Sequence, residues 1–78
     1  MNKEERINLI TENLRIAVNS CGKTREKVGE EVGVETRALR GYLSGSHTPT
    51  AWMLASLCES LGVSMDWVCG LHTGKKGE

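Results

Sequence analysis

The apolar residues of this chain recur at intervals of three and four, never in alternation, and each such run ends at a glycine. That pattern admits helices and gives no support to strands. Ile7, Ile10, Leu14, Ala17, Val18 and Cys21 predict an amphipathic first helix over about residues 4 to 21, stopped by Gly22. Thr24 is placed to cap a second helix with Val28 and Val32 as its stripe, and Gly33 cuts it short. A third helix starts near Glu35 and turns Ala38, Leu39, Tyr42 and Leu43 inward. Beyond the Gly45–Thr48 loop, Pro49 suits the first turn of a fourth helix. Its buried stripe is Ala51, Leu54, Leu57, Cys58 and Leu61, with Gly62 closing it. On that phase Trp52 and Met53 fall off the stripe and are partly exposed. Ser64 caps a last short helix carrying Met65, Trp67 and Val68. From Gly70 the apolar period is lost, so residues 71–78 read as a flexible tail after a domain spanning 1–70. The expectation is an all-α, five-helix domain.

Length limits what such a bundle can do. Seventy-eight residues allow one small core. The longest apolar run, Ala51 to Ala55, is five residues, far too short to span a membrane. The start (Asn2, Lys3, Glu4, Glu5, Arg6) is too charged for a signal peptide. Three cysteines, Cys21, Cys58 and Cys69, form no C-x-x-C pair and lie within apolar patterns, which suits reduced thiols and a cytoplasmic location. His47 and His72 have no partner at metal-ligand spacing and read as surface residues. No Ser-His-Asp set, carboxylate dyad or phosphate loop is visible, so neither an enzyme, a cofactor nor a small-molecule substrate is expected.

The informative segment is residues 24–44. Gly29 lacks a side chain, so the next helix can cross close to it. Gly33 can take the positive φ of a sharp turn. Val34, Leu39 and Tyr42 anchor the second helix of the pair on the first. Those are the requirements of a helix-turn-helix.

On these residues the chain resembles the phage repressor and Cro-like (XRE-type) helix-turn-helix family. The resemblance covers roughly residues 14–70: Gly29, the Gly33-Val34 turn, the Ser44-Gly45 ending, Pro49, and Leu61-Gly62-Val63-Ser64-Met65-Asp66-Trp67-Val68, which is similar to that family's closing L-G-V-S-x-D-W-L. It implies a lambda-repressor-like fold whose third helix enters the major groove of double-stranded DNA. Position by position it implies base reading by Thr36, Arg37 and Gly41, and a phosphate contact by Arg25. Ser44, Ser46, His47, Thr48 and Thr50 then approach the DNA backbone. It also implies a homodimer on a palindromic operator, with Met65, Asp66, Trp67, Cys69 and Leu71 at the two-fold contact. Helical spacing independently puts Thr36, Arg37, Arg40, Gly41 and Ser44 on one face, with two arginines and no acid, and arginine is the commonest reader of guanine.

This chain departs from the family at Gly41, which offers no side chain, at Glu35, which replaces a capping Ser or Thr, and at Leu43, where Glu is frequent. A protein-interaction module of antitoxin or anti-repressor type on the same fold stays open beside the DNA reading. Trp52 and Met53, exposed on this phase, suggest a contact surface. The formal net charge is zero, with ten basic and ten acidic residues, yet Thr36 to Cys58 contains Arg37, Arg40 and His47 and not one acid. A neutral chain laid out this way presents a basic side.

Overall fold

The computed structural model describes residues 1–71. The tail expected over 71–78 lies outside them except for Leu71, as does His72. The order is α1 (Lys3–Ser20), α2 (Arg25–Val32), α3 (Thr36–Ser44), α4 (Ala51–Leu61) and α5 (Met65–Cys69). No strand occurs among the described residues, and no described helix is long and apolar enough to cross a membrane. The all-α five-helix architecture expected from the periodicity is the one observed.

Short polar residues start these helices, because the first-turn N–H groups have no partner within the helix. Asn2 and Glu5 form a reciprocal capping box at 2.8 and 2.9 Å. Thr24, Thr50 and Ser64 each accept a backbone N–H of the helix that follows. Glu35 stands at the N-cap of α3 without a side-chain cap bond. Thr50 at this position moves Pro49 outside α4, one residue before the cap, rather than into its first turn.

The helices close around one apolar centre. α1 packs on α3 and α5, α2 packs on α3 and α4, and α5 rests on α1 and α4. Leu14, Val28, Leu39, Leu57 and Val68, at least one from each helix, are fully buried. Each such side chain contributes about 1.5–3 kcal/mol by leaving water. Among the described residues no polar or charged one is buried.

Two details of α4 differ from the periodic reading. Met53 is buried, 6% exposed, whereas Ala51 is exposed. The inward face therefore runs Met53, Leu54, Leu57, Cys58, Leu61, and the larger side chain fills the space at the helix start. Trp52 does point outward and is 66% exposed. In α3, Leu39, Gly41 and Leu43 are the buried residues, and Ala38 and Tyr42 are half-buried. The cysteines are free thiols. Burial, and then the neighbouring Cys69, pushes the Cys58 thiol from 9.0 up to about 11, so it behaves as a small neutral hydrophobe.

Candidate nucleic-acid interface

The pair α2–α3 is joined by a turn that only small residues allow. Gly33 ends α2 at φ 75°, a left-handed conformation that side chains disfavour. Gly29 is buried, and a Cβ built on it would stand 2.6 Å from the backbone oxygen of Val34. In return Val34 N–H donates to the Gly29 carbonyl at 2.9 Å. The turn is thus drawn tightly against α2, which fixes where α3 leaves it.

With Leu39 and Leu43 buried, the helical period turns Arg37, Arg40 and Ser44 outward, and all three are exposed. Thr36 sits half-buried at the start of this face. Among the described residues neither Arg37 nor Arg40 has an ion-pair or hydrogen-bond partner. Their charges are available to a ligand. Arg25, exposed at the first position of α2, has among the described residues one hydrogen-bond partner, the neutral Asn19 side chain at 3.5 Å.

Between α1, the start of α2 and α3 runs an open cleft of about 740 Å³. Arg15, Arg25 and Arg40 line it with Thr24, Thr36 and Ser44, and Glu26 is its one acid. Arg15 was not legible as part of this surface. It is an exposed α1 residue paired with Glu12 three positions earlier, and only the crossing of α1 over α3 brings it beside Arg40. An exposed pair of this kind is worth about 0–1 kcal/mol, so it yields readily to a better anion.

Residues 10–67 match the family described as Helix-turn-helix domain. The chain belongs to that family. This helix-turn-helix domain is of the XRE/Cro type, related to phage transcriptional repressors. It is 33% identical over 58 residues to RstR, a cryptic phage CTXphi transcriptional repressor of Vibrio cholerae serotype O1. The aligned segment covers 74% of this chain and 49% of RstR, so this chain spans about half the length of that relative. No solved structure matches this chain.

The remaining residues expected at the interface divide into three groups. Ser44, Ser46, His47, Thr48 and Thr50 are all exposed, on the end of α3, the following loop and the cap of α4. Gly41 departs from the expectation. It does not share the exposed face of α3: it is buried, because the ring of His47 lies across it. The helical wheel shows which way a position points but not what the next loop lays over it. The closing segment forms the third group, in which Asp66 and Leu71 are exposed and Met65, Trp67 and Cys69 are half-buried. The α5 end is held to α1 by the Asn13 amide, which donates to the Trp67 and Val68 carbonyls at 3.1 and 3.2 Å. The Arg6 guanidinium donates to the Cys69 carbonyl at 2.5 Å. No group of three or more His, Cys, Asp or Glu side chains able to hold a metal is found among the described residues.

Proposed function

We propose that this helix-turn-helix domain is a sequence-specific regulator of transcription that binds double-stranded DNA as a homodimer, with α3 in the major groove. The observation that carries the reading is the outward face of α3, where Arg37 and Arg40 are exposed with no partner among the described residues. Arg37 and Thr36 read base edges, a bidentate arginine–guanine contact being worth about 1–3 kcal/mol of discrimination. Arg40 lies between the base edges and the cleft, and Arg25 and Arg15 hold phosphates along it. Ser44, Ser46, Thr48 and Thr50 contact the backbone of the DNA, where they fix register without carrying sequence. Met65, Asp66, Trp67, Cys69 and Leu71 form the two-fold contact, and half-sites lie about 34 Å apart. The relationship to a phage transcriptional repressor supports a repressor's role. The three free cysteines suit the reducing cytoplasm.

The exposed Trp52 favours a second reading, a protein-interaction module on the same fold. Two substitutions separate the readings and the roles within the first. On a duplex selected by the wild-type protein, Arg37→Ala abolishes the preference at one base pair in each half-site. Arg25→Ala weakens all sequences alike and lowers the slope of log affinity against log salt by about one. If Arg37→Ala leaves the preference intact at every position, the reading face is misassigned. If the wild-type protein enriches no duplex at low salt, the protein-interaction reading stands instead.

A further inference from the structure

Position 41 on α3 falls in line with Arg37 and Ser44, the row expected to face DNA, yet it carries no side chain. The space is not empty. A Cβ built on Gly41 would stand 2.3 Å from Cδ2 of His47 and 3.3 Å from its Cγ and Nε2, and these are its three nearest atoms. The imidazole therefore rests edge-on against the helix, with Cδ2 in the seat and the Nδ1–Cε1 edge on the far side of the ring. His47 is exposed while Gly41 beneath it is buried.

The loop that delivers the ring is tied down at the same residue. The Gly41 carbonyl accepts the N–H of Gly45 at 3.1 Å, the N–H of His47 at 3.2 Å and the hydroxyl of Ser44 at 3.2 Å. The Ser44 and Ser46 hydroxyls lie 2.8 Å apart, and the Ser46 N–H reaches Ser44 Oγ at 3.4 Å. One glycine thus supplies both the gap that admits the ring edge and the acceptor that fixes the backbone of the loop. A side chain carried on a backbone fixed this way has less freedom to lose on binding, which favours a selective contact.

We propose that His47 stands in for the side chain that α3 lacks at position 41 and is a base-reading residue, with Gly41 as the positioning residue that seats it. This assigns His47 to the reading face rather than to the phosphate contacts, and it rests on the DNA-binding reading above. The ligand group is a base edge in the major groove. The outward Nδ1 donates or accepts according to the tautomer, which suits guanine N7 or O6, or adenine N7 or N6.

The full chain and two substitutions test this, with duplexes selected by the wild-type protein. His47→Ala, at an exposed loop position, should flatten the preference at one base pair in each half-site, distinct from the pair lost in Arg37→Ala, with about ten-fold weaker binding of the best duplex. Gly41→Ala should reproduce that change, because its Cβ expels the ring. In the His47→Ala background, Gly41→Ala should then alter affinity by less than about two-fold. Thermal unfolding supplies an independent readout. Alanine is the better helix former, so Gly41→Ala should raise the midpoint when His47 is absent and fail to raise it when His47 is present. Should Gly41→Ala not fold, the base-preference profile of His47→Ala alone decides. Uniform weakening across sequences in His47→Ala overturns the proposal, as do effects of the two substitutions that simply add. Enrichment of no duplex by the wild-type chain defeats the DNA-binding reading itself, and this proposal with it. Normal enrichment with an unaltered His47→Ala profile defeats this proposal alone.

Discussion

Gly29 and Gly41 are both buried helical glycines, and they are glycine for different reasons. At Gly29 the obstacle is backbone, the Val34 carbonyl oxygen at 2.6 Å from a built Cβ, and the Val34 N–H bond to Gly29 prevents the turn from backing away. At Gly41 the obstacle is a side chain, His47, which has open solvent to move into. The two should respond differently to alanine. Gly29→Ala is expected to destabilise the domain by about 1–3 kcal/mol net of the gain in helix propensity, measured as a lower urea midpoint. An unchanged midpoint would mean that the turn yields and does not fix α3. The close crossing at Gly29 was legible from the sequence because a small residue before a Gly-Val turn serves little other purpose. The seat at Gly41 was not. It depends on a contact between residues six apart that no periodicity encodes.

At the scale of the helix, α3 carries both halves of the account. Leu39 and Leu43 hold it in the core while Arg37, Arg40 and Ser44 stay outside. Its N-terminus is its weak point, because Glu35 makes no side-chain cap bond where Thr24, Thr50 and Ser64 cap their helices. Glu35→Ser is therefore expected to stabilise the domain by about 0.5–1 kcal/mol. The same change removes an acid beside Thr36 and should tighten DNA binding at low salt. Calorimetry and a binding titration check the two effects. No gain in stability would show that α3 has no capping deficit. Helix ends of this kind were readable from Thr24, Gly33, Gly62 and Ser64, since orphan backbone groups demand such residues locally. The phase of α4 was less so. A run such as Ala51-Trp52-Met53-Leu54 offers an apolar residue on every side, and packing in the core decided for Met53 over Ala51.

The charges of the chain balance in number, but among the described residues three arginines gather at one place where Glu26 is the one acid. Arg15, Arg25 and Arg40 share one cleft, and Arg37 lies on the same helix as Arg40. Elsewhere Glu31 is engaged by Lys23 and Ser60: Lys23 Nζ donates to it at 2.8 Å and the Ser60 hydroxyl at 2.6 Å. Those bonds keep its carboxyl below the ordinary value and tie α2 to the end of α4. The acid-free stretch from Thr36 to Cys58 announced the basic side in the sequence. Arg15 joined it only through the fold. A neutral molecule with one basic face should bind DNA weakly in general and gain most of its affinity from fit at a specific site.

The measurement that bears most directly on this is selection from random duplex DNA by the full chain, followed by titration of the enriched and a scrambled duplex at one salt concentration near physiological. The expected result is a two-fold-symmetric consensus bound at least about 1,000-fold more tightly than the scrambled duplex. Equal affinity for the two duplexes, or no enriched sequence at all, would contradict it.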